Sequence, residues 1–328
     1  MALYTGLADD FVSAARNDSR NEDKPDAATG DNIGFADSDF VRYLNYAQET
    51  LQTTILKANP GSFKDQGIIS CVANQEQYTV TDRVFAGERI VNVQFSYDGQ
   101  TQNYQDLRQI GEHYRRGGGA AGSFGGYPQA YIRRSSSFLL YPIPISSSGT
   151  IRVVYERQLD DLCMRVGKIT SYDDVAATLT LSNLNTEYDD YLLANSYICV
   201  SDPDGVVLLR NGKISSFTSP TLTLNSALSG YLTTGSALTD LTNSYITLGK
   251  YSTTHTKLNQ VAWRYMSEYA CLQAFKRDSS SDFQESFRTL DSMKKDILEV
   301  YQDANRDEME IQIINPQYIV NGDNFGGF

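Results

Sequence analysis

The sequence predicts an α+β protein: a helical bundle core made of an N-terminal helix and a C-terminal αα-hairpin, an antiparallel β region, an inserted duplicated small β-barrel-like domain and an extended C-terminal arm. Three observations predict it. Apolar residues recur at helical spacing near both ends, they recur at strand spacing from about residue 66 to 160, and a Ser/Thr-rich unit occurs twice in between. The expected boundaries are 1–165 for the N-terminal helices and β region, 166–252 for the insert, 253–305 for the closing hairpin and 306–328 for the arm.

Leu3, Leu7, Phe11 and Ala15 share one face of a short first helix, and the polar stretch 17–32 after it reads as a loop. A stronger helix opens at residue 37, with Ser38 placed to cap it and Phe40, Leu44, Ala47, Leu51 and Ile55 on one stripe. Pro60-Gly61 stops it. "QYTVTD", "RIVNVQFSY", "SSSFLLYPIPI" and "GTIRVVYERQL" then read as antiparallel strands, with Pro142 and Pro144 suited to an edge or a strand end.

The duplicated unit begins "GKITSY" at Gly167 and "GKISSF" at Gly212. Leu179-Thr180-Leu181 answers to Leu222-Thr223-Leu224, and Asn195-Ser196-Tyr197-Ile198 to Asn243-Ser244-Tyr245-Ile246. Such a unit cannot bury its apolar side alone, so its copy is expected to cover it in a small barrel of two similar halves. The insert is expected to project outward and to be removable, leaving the rest folded after deletion of 167–250.

Helical spacing returns with Leu258, Val261, Ala262, Tyr265, Tyr269 and Leu272 on one stripe. Phe287, Leu290, Met293 or Lys294, Ile297 and Tyr301 form another, with Ser281 or Asp282 as its cap. The tail after residue 305 has no core of its own and would reach roughly 75 Å if extended.

Chemistry is scarce. His113 and His255 stand alone, without a metal partner or a nucleophile beside them. The Gly-rich run 115–129 lacks the Lys-Ser or Lys-Thr of a phosphate loop and reads as a surface loop. Asp160-Asp161, Asp173-Asp174 and Asp189-Asp190 are neighbours that cannot converge from a strand, so they read as solvated turns, and "SDPDG" as a tight turn. No catalytic, cofactor-binding or metal-binding residue is assigned. Cys71, Cys163, Cys199 and Cys271 lie far apart and read as buried thiols of a reducing compartment.

The net charge of −12 argues against wrapping a nucleic acid. Residues 83–168 oppose this trend, with eleven Lys+Arg against seven Asp+Glu. Arg115-Arg116 and Arg133-Arg134 are then either scattered strand-surface charge or a patch facing an acidic partner or a DNA passage. No secretory signal or apolar membrane-spanning run is expected, and 22 tyrosines point to contacts more than to catalysis.

The order of elements resembles a family. "FADSDFVRYLNYAQETL" is similar to the opening helix of the head-to-tail adaptor, or connector, proteins of short-tailed and related bacteriophages. Pro128, Tyr131, Phe138, Leu140, Pro142, Pro144, Ile151, Val153, Tyr155 and Arg157 match that family's strand pair, and Ala270, Ala274, Phe275 and Lys276 its closing hairpin. These matches span 1–165 and 255–305, so the insert departs from the pattern.

The resemblance implies a structural virion protein with no enzymatic activity and no cofactor, made in the host cytoplasm and placed in the neck of the particle. It implies a ring of about twelve copies under the portal protein. The genome passes through the channel without sequence-specific binding, tail or nozzle proteins and fibres dock on the platform, and no membrane is involved. It also implies that the arm touches the portal or a neighbouring copy, through Ile311, Ile313, Ile314, Tyr318, Ile319, Val320, Phe325 and Phe328. The alternative function is a tail-associated β module binding host glycan or receptor.

Overall fold

The computed structural model describes residues 6–19, 35–80, 90–97, 103–112, 126–134, 137–185, 188, 191–233, 235–277 and 283–314, and the backbone alone over 302–314. Outside the described residues lie Leu3, His113, Arg115-Arg116, most of the Gly-rich run, Asp189-Asp190, the expected caps Ser281 and Asp282, and Tyr318, Ile319, Val320, Phe325 and Phe328. The chain divides into two units, residues 60–158 and residues 1–59 with 159–328.

Among the described residues, the second of these has the α-helices α1 (Ala8–Asp18), α2 (Asp37–Ala58), α3 (Gln260–Arg277) and α4 (Phe283–Ile314). α2 packs on α3 and α4, and α1 packs on α2 and α3. The stripe Phe40, Leu44, Ala47, Leu51 and Ile55 is fully buried. α3 touches all three other helices and carries small residues on its buried sides, Ala262, Ser267, Ala270 and Ala274. Val261 and Phe287, expected on buried stripes, are 44% and 59% exposed.

Ser38 does not cap α2. Ala36 holds the N-cap position with no side-chain bond, and Asp37 in the first turn pairs instead with Arg16 in the last turn of α1. Both partners are buried, and the Arg16 guanidinium stands 5.1 Å from the Phe40 ring centroid. The anion sits at a helix start and the cation at a helix end, so both macrodipoles favour the pair. α4 also departs from expectation, because it stays helical to Ile314 where an arm was expected from 306. Residues 306–314 contain Glu, Met and Gln, which favour helix, and the first breaker is Pro316.

Residues 167–248 form a closed barrel of β10 (Gly167–Asp173), β11 (Thr178–Ser182), β14 (Thr221–Leu224), β13 (Val207–Thr218), β12 (Tyr197–Ser201) and β15 (Tyr245–Leu248), in that order round the wall. The two copies of the sequence repeat occupy matching registers. Ile169 faces Leu181 and Ile214 faces Leu224, each beside a bulge before Ser171 or Ser216. Gly167 faces Ile246 while Gly212 faces Ile198, so the first strand of each copy pairs with the last strand of the other. Asn195 and Asn243, one per copy, both take left-handed backbone, with φ of 71° and 70°. Side chains fill the interior, among them Ile169, Leu179, Ile198, Ile214, Leu222 and Ile246.

The barrel is seated, not hung. Its β12–β15 wall turns Cys199 and Thr247 outward, yet both are completely buried. Against this wall run β9 (Asp161–Leu162) and β16 (Ser252–Thr253), a parallel pair formed by the segments that lead into and out of the barrel, with Thr247 and Ser252 hydroxyls 2.8 Å apart. α2 holds both segments by a row of amides. Asn45 donates to Leu162 O (3.0 Å) and accepts from Leu162 N (2.7 Å), and Gln52 accepts from Leu159 N (3.2 Å). Gln48 donates to Asp160 O and accepts from the Thr256 hydroxyl, both at 2.8 Å. The insert expected to project freely is therefore walled into the same unit as the helices.

Residues 60–158 carry two four-stranded sheets. One has β1 (Lys64–Ser70), β8 (Thr150–Glu156), β3 (Ile90–Ser96) and β4 (Gln105–Asp106) in spatial order. The other has β2 (Gln77–Thr79), β7 (Ser137–Tyr141), β6 (Ala130–Arg134) and β5 (Arg108–Gln109). Val93, Phe95, Ile151, Val153 and Tyr155 share a core with Tyr78, Tyr131, Phe138 and Leu140. The expected antiparallel pattern breaks at β5, which runs parallel to β6. Pro142 directly follows the end of β7, the strand-end position expected for a residue without an amide donor.

Gln48→Leu keeps the shape of the side chain and leaves Asp160 O and the Thr256 hydroxyl without it. A loss of about 1–3 kcal/mol per stranded group is expected in urea unfolding followed by circular dichroism. Thr53→Ala, at a partly buried position whose hydroxyl bonds only to its own helix at Glu49 O, should move the midpoint little, and equal midpoints for the two variants would remove the amide row from the account.

Candidate interaction site

Each barrel repeat carries an arginine two residues before its glycine, Arg165 and Arg210. Arg165 pairs with Asp9 at the start of α1, and Arg210 pairs with Asp160 at 3.0 Å. Asp160-Asp161 is thus no solvated turn: Asp160 is 3% exposed and clamps the barrel, and Asp161 lies on β9. The signal lies in "RVGKITS" and "RNGKISS", where the arginine stands two residues upstream of the repeated glycine.

Around Arg165 lies a cleft of about 370 Å³ lined by Asp9, Met164, Arg165, Gly167, Lys168, Asn183, Asn185 and Tyr245. The Arg165 guanidinium stands 5.1 Å from the Tyr245 ring centroid. Lys168 has no carboxylate partner among the described residues. Two cations, two amides, a phenol and one carboxylate can bind a carboxylate-bearing group, since amide and cationic donors outnumber the acceptors that would repel it. Among the described residues that line it there is no Ser, Thr, Cys or His.

His255 is not the isolated turn residue it looks like in the sequence. The "SDPDG" turn packs on it so closely that a Cβ at Gly205 (φ +85°) would lie 2.4 Å from the His255 Cβ. Asp202 Oδ1 folds the turn by accepting from Asp204 N (2.9 Å) and Val206 N (2.8 Å). Burial and the nearby Arg165 charge push the His255 pKa down, against the opposing charges of Asp202, Asp10 and Asp204. Asp173 and Asp174 do serve turns, accepting from Ala176 N (3.0 Å) and Ser229 N (2.8 Å). All four cysteines are free thiols, and burial pushes Cys163 and Cys271 up to about 12.

Within residues 60–158, the outer face of the β1–β8–β3–β4 sheet is a polar ladder. Asn92 and Gln94 both donate to Asp106 Oδ1, at 2.7 and 2.6 Å, and Arg152 stands 4.3 Å from the Tyr104 ring centroid. The Gln94 bond, then the Asn92 bond, hold the Asp106 carboxyl below its usual value. Arg134 pairs with Glu112, and Arg133 donates to Ile90 O at 3.3 Å.

The sequence-selected contact residues divide at the end of α4. Ile311, Ile313 and Ile314 lie on its last turn, while Tyr318, Ile319, Val320, Phe325 and Phe328 lie outside the described residues. The last described tie of α4 to α2's end is Asn59 Nδ2 donating to Tyr301 O at 3.2 Å. The thirteen residues from there to Ile314 carry the helix about 20 Å further.

The family model described as SU10 adaptor protein matches residues 7–208. The chain belongs to the SU10 adaptor family. No curated protein matches it. The head-to-tail adaptor resemblance agrees with this family, a family of phage adaptors, and membership gives the chain a structural role in the virion. The extent of the match differs from the expected one. It continues through 166–208, the part set aside as a departure from the family, and it stops before the 255–305 hairpin.

His255 also sets a pH dependence for this SU10 adaptor. A base whose folded pKa is depressed binds fewer protons in the native state, so stability falls as pH drops through the unfolded value near 6.5 towards the folded one. Melting temperature is expected to decline between about pH 7 and 5, and His255→Asn to flatten that part of the curve. A wild-type curve that is flat there would refute the depressed histidine.

Proposed function

We propose that the chain is the head-to-tail adaptor in the neck of a phage particle, forming a ring of about twelve copies below the portal protein. The channel of that ring passes the genome without reading its sequence. Tail or nozzle proteins, and fibres where present, dock on the ring's outer or lower surface. The chain catalyses no step in this role; its work is contact. The observation that carries the reading is family membership over residues 7–208.

Three further features support it. The net charge of −12 suits a wall that DNA slides past. The helical core ends in α4, which runs on past α2 and carries Ile311, Ile313 and Ile314 on its last turn, suited to reach a portal or neighbouring subunit, and the other proposed contact residues, Tyr318, Ile319, Val320, Phe325 and Phe328, follow it in the sequence. The matched registers of the two barrel repeats support an origin of the barrel by duplication of one three-stranded unit, with a local two-fold axis through Leu179/Leu222 and Cys199/Thr247.

The test mixes this protein with the portal protein of the same genome and follows mass photometry and negative-stain images. A symmetric ring on the portal is expected, even where the free protein is a monomer, because contacts between copies can be too weak to hold without the portal contacts. Truncation after Asn305 should abolish the association and leave helical circular dichroism in place. Absence of any association at several salt concentrations would overturn the reading.

A further inference from the structure

We propose that the Arg165–Lys168 cleft receives the acidic end of α4 from a neighbouring copy, so that the barrel of one subunit holds the projecting helix of the next. This rests on the ring reading above and adds the residues that close the ring. The lining sets Arg165 and Lys168 against Asp9, a local cationic surplus on a chain of net charge −12. Asp9 is engaged by Arg165, which leaves the Lys168 ammonium as the charge without a carboxylate among the described residues.

The complement lies on the same chain. Beyond Tyr301, α4 carries Asp303, Asp307, Glu308 and Glu310 against the single cation Arg306. Helical spacing puts Asp303, Asp307 and Glu310 at i, i+4 and i+7, on one face of the segment that outruns α2. A carboxylate entering the cleft would gain a charge-assisted bond from Lys168 and an amide donor from Asn183. Such a contact joins two different surfaces of identical chains, the heterologous kind that closes a ring by rotation.

The barrel supplies its own control. Lys213 holds in the second repeat the register position that Lys168 holds in the first, and it does not line the cleft. Lys168→Glu, Lys213→Glu, the pair Asp307→Lys with Glu310→Lys, and the combination of that pair with Lys168→Glu are each mixed with portal protein. Ring occupancy is counted in negative stain, with melting curves to check the fold.

Lys168→Glu and the α4 pair are each expected to lower occupancy about tenfold or more at low salt, Lys213→Glu to leave it near wild type, and the combination to restore it. The α4 pair lies on a different element from the barrel, so it tests the contact even if Lys168→Glu fails to fold. Wild-type occupancy for Lys168→Glu, or no recovery in the combination, would overturn the cleft assignment while the ring stands. A wild-type protein that forms no ring on the portal would instead sink the ring reading and this contact with it.

Discussion

A row of amides on one helix decides how this protein is put together. Asn45, Gln48 and Gln52 lie a turn apart on α2 and bond to the backbone of residues 159–162 and to Thr256. Those two segments are the way into and out of the barrel. By fixing both on the surface of one helix, α2 sets the place of β9 and β16, and β9 and β16 set the barrel wall that rests on them. Gln48 and Gln52 are 4% and 1% exposed, so water cannot replace either amide. The apolar stripe of the same helix supplies hydrophobic burial; the amide row supplies position.

The apolar parts of this arrangement were legible in the sequence and the polar parts were not. The stripe of α2, the strands β3, β7 and β8, and the repeat that becomes the barrel all follow from spacing, because burial imposes a period on residue type. Asn45, Gln48 and Gln52 carry no such period signal, since an amide reads as solvent-facing until its partners are known. Asp160 was misread for the same reason, and its partner Arg210 lies fifty residues away. The cleft was half legible: Arg165 belongs to the repeat, but Asp9, Asn183 and Tyr245 come together only when the barrel closes beside α1.

The functional reading follows from family membership, and several reactive side chains of the described residues serve structure. Histidine, cysteine and carboxylate side chains that could suggest catalysis are occupied with structure: His255 under a turn, Cys199 under β16, Asp202 folding its own loop. For an adaptor the relevant quantities are the shape and charge of faces that meet other proteins. The polar ladder on the β1–β8–β3–β4 sheet and the Arg165–Asp9 side of the cleft are built from side chains already held by bonds within the chain. Little conformational entropy then remains to be lost when a partner arrives.

Strand exchange between the barrel repeats has a consequence for synthesis. The first strand of each half finds its last neighbour in the other half, so neither half can close while the other is missing. On the ribosome, Gly167 must wait until Ile246 has been made, and Gln48 for its second partner until Thr256 has followed. Residues 60–158, whose two sheets are complete within one continuous stretch, can form meanwhile. Such long-range closure is slow, because loop entropy is lost before the distant contacts reward it. The nascent protein can pair neighbouring strands early, but the free edge of β10 waits for β15 until about three quarters of the 328 residues are translated.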